Sequence, residues 1–191
     1  MSNYFSYFPK ISHDLKSDKK PILLQNILRR FKIASSVKDA VGVYHVYDVQ
    51  SGDRPDTIAH KYYGSSKYAW VVLHFNNIEN PVFDWPLFDP EFDEYIAGKY
   101  GSIATAQSNI HEYRWIYQQA EVTYDGISIP EKYYVVDETT YNTLAVDERK
   151  AVSDYDYEVE ENEKKRKIKI LDAFYLPQLE NEVKTIIKAG L

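Results

Sequence analysis

The sequence predicts an α+β protein: a βααβ module with an N-terminal extension before it and a C-terminal strand-and-helix region after it. Three observations carry this expectation. A period-two run, VYHVYDV at 43–49, leads into a turn, two helix-like segments and a further short extended run. Helical signals return near the other end, charged at 153–167 and amphipathic at 176–188. The 191 residues are 44% hydrophobic and 27% charged, enough to bury one or two small cores. The chain accordingly divides into an extended or helical arm (1–42), the βααβ module (43–90) and a C-terminal α+β region ending in helices (91–191).

Residues 1–20 read as extended. Tyr4, Phe5, Tyr7 and Phe8 precede a polar, Lys-rich stretch, and this aromatic cluster either folds back on the core or docks on a partner. Over 21–33, Leu24, Ile27, Leu28 and Phe31 fall at i, i+3, i+4 and i+7, one face of a helix. Asn26 can instead cap a shorter helix from Ile27, and Arg29 and Arg30 then face water or an acidic partner. After the strand at 43–49, Ser51-Gly52-Asp53 makes a turn. Asp53 is a natural N-cap, Asp56 follows three residues later, and Pro55 sits in the first helical turn, where its missing N–H costs little. Ile58, Ala59 and Tyr62 form the buried face, and Gly64 ends the helix. A second helix runs from about Ser66 to Phe75 on Ala69, Val72 and Leu73, and Asn76-Asn77 stops it. Asn80-Pro81 turns the chain into a short strand near Val82–Leu87.

Further on, 91–100 predicts a short helix, 112–118 and 131–136 predict strands, and Asp125-Gly126 predicts a turn. Residues 101–109 and 137–150 carry little signal. The charged helix at 153–167 has Glu160–Lys164, Glu161–Lys165 and Glu163–Lys167 in the favourable i, i+4 order, with acids leading and bases trailing. Residues 168–171 read as a brief strand. The last helix, with Pro177 near its start, carries the stripe Leu176, Leu179, Val183, Ile186 and Ile187.

Composition excludes several function classes. A net charge of -6 disfavours nucleic acid, which needs a basic face. No apolar run is long enough to span a bilayer. MSNYFSYFPK lacks the basic start and apolar stretch of a signal peptide, so a cytoplasmic site of synthesis and assembly is expected. Without cysteine there is no disulfide framework, thiol nucleophile or Cys-based zinc site. His13, His45, His60, His74 and His111 fall in no short metal-ligand spacing, and no P-loop, GxGxxG or G-x-S-x-G occurs. His111 and Glu112 are the one acid–base doublet in an aromatic context, but neighbours on a strand point to opposite faces. Glu160, Glu161 and Glu163 read as a solvated helix face. No enzyme activity, cofactor or metal is expected. The 18 tyrosines, beyond what a core of this size absorbs, point to interfaces, because tyrosine offers a flat apolar body and a polar tip at low entropic cost.

The stretch YDVQSGDRPDTIAHKYYGSSKYAWVVLHFNNIENP, residues 47–81 and about a fifth of the chain, resembles a LysM module. Its Ser-Gly-Asp, Ile-Ala and Asn-Asn elements fall in the order strand, turn, helix, helix, strand. LysM modules hold N-acetylated glycans such as peptidoglycan in a shallow groove. That resemblance implies a groove of Gly52, Asp53, Arg54, Asn76, Asn77 and Ile78, with Trp70 and Trp85 as core or groove-wall aromatics. Sugar-binding LysM modules carry Thr-Leu after the Gly-Asp, whereas Arg54-Pro55 stands here. RPDTIA…YYG…YAWVVL…FNN…P…DWPL (54–87), with YFPKI…NILRRFKI (7–33) and YEVEENEKKRKIKIL…YLPQLENEVKTII (157–187), is similar to baseplate wedge proteins of contractile-tailed phages. This implies a structural subunit of the virion tail baseplate. It would dock sheath-initiator and core-bundle wedge proteins and help join neighbouring wedges into a ring. Buried aromatic and Arg anchors dominate such docking. The candidates are Arg54, Tyr62, Tyr63, Trp85 and the helical stripe Leu179, Val183, Ile186 and Ile187. Glycan binding is the alternative, and the Arg54-Pro55 replacement and the two flanking segments favour assembly.

Overall fold

The computed structural model describes residues 4–14, 19–28, 31–38, 40 and 42–189. The regular elements in chain order are β1 (Lys10–His13), β2 (Ile22–Gln25), α1 (Ser35–Lys38), β3 (Tyr44–Asp48), α2 (Pro55–Tyr63), α3 (Ala69–Phe75), α4 (Pro81–Asp84), α5 (Glu91–Tyr100), α6 (Ile103–Ser108), β4 (Ile110–Gln118), β5 (Glu121–Val122), β6 (Ser128–Ile129), β7 (Lys132–Val136), α7 (Glu138–Thr143), β8 (Arg149–Ser153), α8 (Asp154–Arg166), β9 (Lys167–Leu171) and α9 (Leu176–Ala189). The protein is α+β. It forms two compact units: the first holds Met1–Pro86 and Lys165–Leu191, the second Leu87–Lys164.

In the first unit β3 pairs antiparallel with β9, Tyr44 opposite Leu171 and Asp48 opposite Lys167. The strand that completes this sheet therefore comes from residues 167–171, and the predicted strand at 82–87 does not form. Pro81 and Asn80 explain the difference. Pro81 opens a helical turn, the Asn80 side chain accepts the Val82 N–H at 3.1 Å, and Asp84 accepts the Asn80 N–H at 2.9 Å. These local bonds give α4 instead of an extended run. Helix α2 begins where Pro55 was expected to start it, but Asp53 is not its cap. Arg54 takes that place, and the Thr57 hydroxyl accepts the Arg54 N–H at 2.9 Å. Gly64 closes the helix at φ +70, a conformation that costs a side-chain-bearing residue more than glycine. Asn77, at φ +56, turns the chain after α3.

The predicted helix over 21–33 is also corrected. Leu24 lies in β2, which pairs with β1 in a hairpin, while Ile27 and Leu28 lie in a turn. The expected cap, Asn26, instead accepts the Leu28 N–H at 3.3 Å within that turn. Arg29 and Arg30 lie outside the described residues. Phe31 stacks on His74 with ring centroids 4.6 Å apart. Pairing with the preceding strand of a hairpin outweighs a four-residue helical stripe.

The N-terminal aromatic cluster folds back. Tyr7 and Phe8 are buried with Ile33, Trp70, Val71, Phe75 and Leu171, and Tyr4 stacks on Trp70 at 5.2 Å. Leu176, Val183 and Ile187 of α9 close the same core. Beside the core, the Tyr7 hydroxyl donates to Glu180 at 2.6 Å. Among residues removed almost wholly from water, each Ile, Val or Phe is worth about 1.5–3 kcal/mol, so this cluster is the main cohesion of the unit.

The second unit centres on an antiparallel sheet in the order β7-β4-β8. Strands expected at 112–118 and 131–136 form as parts of β4 and β7. The Asp125-Gly126 turn forms between β5 and β6, with Gly126 at φ +77. The two quiet stretches hold capped helices: Ser102 accepts the Thr105 N–H at 3.1 Å before α6, and Asp137 accepts the Thr140 N–H at 2.9 Å before α7. Phe92, Ile96 and Ala106 make a small core with Tyr155 and Val159 packed against it. Helix α8 matches the expected charged helix, but Glu160 is not simply solvated. It pairs with the buried Arg114 at 2.8 Å, and Lys164 pairs with Glu161 at i, i+3, one residue closer than the i, i+4 pattern.

Candidate functional site

The Ser-Gly-Asp turn after β3 organises one face of the first unit. Gly52 adopts φ +84, which lets the chain reverse. Asp53 then becomes a hub. Its carboxylate accepts the Tyr47 hydroxyl at 2.6 Å and the Gln50 N–H at 2.9 Å, and its carbonyl accepts the Trp85 indole N–H at 3.1 Å. The bond to Asp53 pushes the Tyr47 phenol up to about 12. Tyr62 packs edge-on against Tyr47 at 5.6 Å, and the Lys61 ammonium lies 5.2 Å from the Tyr47 ring. Arg54 is exposed and pairs with Asp56 at 3.2 Å. Arg54, Tyr62 and Trp85 are thus gathered by one turn.

Tyr63 lies next to this face. Its hydroxyl donates to the Leu171 carbonyl at 3.0 Å, and burial pushes its phenol above the ordinary value. With Tyr62, His45, Leu171, Asp172 and Ala173 it lines a cavity of about 460 Å³. His45 and Asp172 are paired at 3.0 Å. The Asp172 carboxyl is held below its usual range, first by the Phe174 backbone N–H and then by His45. This pair was not among the residues singled out from sequence. The two residues stand 127 positions apart and meet only because β9 closes the sheet.

The C-terminal stripe is placed differently from the expectation. Val183 and Ile187 are buried in the chain's own core and leave no face for a partner, while the partly buried Leu179 packs against that core. Ile186 alone remains largely exposed. A helical stripe marks burial without naming what buries it, and here the N-terminal aromatics do.

Two of the six residues of the alternative groove, Asn76 and Asn77, have their side-chain amides engaged within the fold. Asn76 spends its amide on the fold: Nδ2 donates to the Val72 carbonyl at 2.8 Å and the Lys169 carbonyl at 2.7 Å, and Oδ1 accepts the Lys169 N–H at 2.7 Å. The Asn77 side-chain Oδ1 accepts from the buried Lys38 ammonium, which also donates to the His74 backbone carbonyl at 2.8 Å. Asn77 and Ile78 line an aromatic cavity of about 820 Å³ with Tyr4, Phe8, Phe31 and Trp70, whereas Gly52, Asp53 and Arg54 are not among its lining residues.

The second unit holds two polar clusters. The Arg114 guanidinium is clamped by Glu112 at 2.6 Å and Glu160 at 2.8 Å, and it lies 4.0 Å from the Tyr133 ring centroid. Burial works against its charge, but the hydrogen bonds it donates to Glu160 and Glu112 outweigh burial and raise its pKa. Glu158 accepts from Lys99 at 2.5 Å, Tyr100 at 2.9 Å and Tyr95 at 3.1 Å. Both carboxylate oxygens of Glu158 are engaged, as a structural role requires. No group of three or more His, Asp or Glu side chains that could hold a metal ion occurs among the described residues. Trp115, Tyr117 and Tyr134 stand exposed on β4 and β7, with Tyr117 stacked on Tyr134 at 4.7 Å. Several of the surplus tyrosines are therefore surface groups.

The polar clusters of the second unit are satisfied within the fold, and aromatic and aliphatic side chains stand on the surface. Residues 3–177 match the family described as base plate wedge protein 53, and the chain belongs to that family. Baseplate wedge protein gp53 of Enterobacteria phage T4 is 27% identical over 176 residues, covering 87% of this chain and 87% of that protein. The chain is thus a structural protein of the baseplate wedge in a phage tail, and its place is the virion. Among the described residues, no helix is long and apolar enough to cross a membrane.

Proposed function

We propose that this chain docks neighbouring wedge proteins, including sheath-initiator and core-bundle subunits, and helps join wedges into the ring. The carrying observation is the Asp53-centred face, where one turn presents Arg54, Tyr62 and Trp85 together. Arg and large aromatics are the side chains that dominate protein–protein binding energy. We propose further that β3, α2, α3 and β9 form a LysM-like module put to protein docking. Its residues come from the 43–90 segment and, for the closing strand, from 167–171.

The engaged amides of Asn76 and Asn77 support docking over the glycan alternative, because an N-acetyl group would have to displace bonds that tie Asn76 to Lys169 of β9 and Asn77 to Lys38. Capture by the remaining wedge subunits of the same phage tests this reading. Arg54→Ala and Tyr62→Ala are expected to lower apparent affinity about tenfold or more. Sedimentation with insoluble peptidoglycan is the companion measurement. If this chain pellets beside a glycan-binding LysM control and N-acetylglucosamine oligomers release it, the docking reading of the module is wrong.

A further inference from the structure

Three hydrogen bonds tie the β1–β2 hairpin down at its Lys10–Gln25 end. Gln25 donates from Nε2 to the Phe5 and Phe8 carbonyls at 2.7 Å each, and the Asn26 N–H donates to the Pro9 carbonyl at 2.8 Å. The register sets Ile11 opposite Leu24 and His13 opposite Ile22, so Ile11, Ile22 and Leu24 share one face. Ile11 and Ile22 remain 38% and 47% exposed. Leu23, on the other face, is 71% exposed, and the turn that follows leaves Ile27 at 61% and Leu28 at 86%. A two-stranded ribbon is marginal in water without a layer to cover it. Five large aliphatic side chains left in solvent within one short segment mark a surface meant to be covered.

Charge says what kind of surface covers it. Residues 10–32 contain seven Lys or Arg and two Asp, a net +5, while the whole chain carries -6. The remaining residues together carry -11, so this segment is basic against an acidic balance elsewhere in the chain. The aliphatic side chains give area, and the cations select and steer a partner of opposite sign.

We propose that the β1–β2 hairpin and its following turn are a docking arm that lies in an apolar groove rimmed by Asp and Glu on another protein subunit of the wedge. This rests on the docking reading above and assigns it a second, separate contact. The test uses the full chain and the phage's other wedge subunits, assembled without it. The arm variants are Leu23→Ser with Leu28→Ser, and Lys10→Glu with Lys32→Glu. All four side chains are exposed, and near-UV circular dichroism verifies that the fold is kept. Both arm variants are expected to be captured at least tenfold less than wild type. Raising the salt from about 0.1 M to 0.5 M is expected to weaken wild type more than the charge-reversed variant.

Wild-type capture by the arm variants, with Arg54→Ala deficient, overturns the arm while leaving the docking reading intact. Failure of the wild-type chain to be captured at all sinks both. If phosphatidylglycerol vesicles or duplex DNA bind the wild type and lose the arm variants while wedge capture is unchanged, the arm serves a different kind of partner and the proposal is wrong.

Discussion

At the scale of single residues, the second unit depends on two charges removed from water. Arg114 is almost wholly buried, and its guanidinium plane meets carboxylates on two sides and the Tyr133 ring on a third. Removing one member of such a cluster leaves the others charged and unpaired. Arg114→Met is expected to cost about 3 kcal/mol in urea unfolding, the lower part of the range for a broken buried pair because Glu160 is partly solvated. Arg114→Lys keeps the charge but not the planar fork, and recovers only part of the loss. Glu158 carries a pH signature. Burial raises its pKa, but the hydrogen bonds from Lys99 and Tyr100 and the Lys99 charge outweigh it, so the folded value lies below the ordinary 4.5. A depressed carboxyl pKa contributes stability that is fully present above the unfolded value and is lost as pH falls through the folded one. Wild type is therefore expected to exceed Glu158→Gln in stability at pH 7, with the gap narrowing at pH values below 4.5. A gap unchanged between pH 7 and pH 3 contradicts this assignment.

At the scale of elements, Asn76 shows what a sequence reveals and what it hides. Asn76-Asn77 was legible as the end of α3, because both side chains compete for backbone bonds and Asn77 accepts a positive φ. That Asn76 also staples α3 to β9 was not legible, because Lys169 is 93 residues away. Local signals of capping and periodicity placed α2, α8 and α9 within a residue or two and the end of α3 at Phe75, although residues 66–68 form a 3-10 turn and α3 itself starts at Ala69. They misled at 21–33 and 82–87, where a hairpin partner and an Asn80-Pro81 turn decided the outcome. The docking candidates divided along the same line. Arg54, Tyr62 and Trp85 lie around a local turn that the sequence displays, whereas the α9 stripe was claimed by aromatics from the opposite end of the chain. Asn76→Ala removes three hydrogen bonds and strands the Lys169 N–H and C=O, so about 2–3 kcal/mol of stability is expected to go. Asn76→Asp should cost at least as much at neutral pH, since a carboxylate would face two carbonyl oxygens. Equal stability of Asp and Asn at this position would show that the Nδ2 donors do not matter.

At the scale of the whole molecule, the chain order carries a consequence for folding. The sheet of the first unit needs β3 and β9, yet the entire second unit, Leu87–Lys164, is threaded between them. Such an insertion is tolerable when its two ends lie together, and bonds within each unit show that they do. In the second unit Asn162 reads both backbone groups of Leu87: the Leu87 N–H donates to Oδ1 and Nδ2 donates to the Leu87 carbonyl, each at 2.8 Å. In the first, the Lys165 ammonium donates to the Phe83 carbonyl at 2.8 Å. Each unit has its own buried cluster and its own closed ends, the conditions under which a domain folds alone. A chain in which 87–164 is replaced by a short Gly-Ser linker is expected to keep the β3–β9 pairing. Its amide spectrum would then retain the slow-exchanging signals of Tyr47 and Ile170, which belong to hydrogen-bonded pairs of that ladder. Residues 87–164 produced alone should fold cooperatively, with Asn162→Ala lowering stability by about 1–3 kcal/mol through the unpaired Leu87 groups. If the linker form unfolds while the inserted piece folds, the second unit acts as a template that brings β9 to β3. Dependence in the reverse direction would mean that closure at Asn162 is too weak to define the inserted unit.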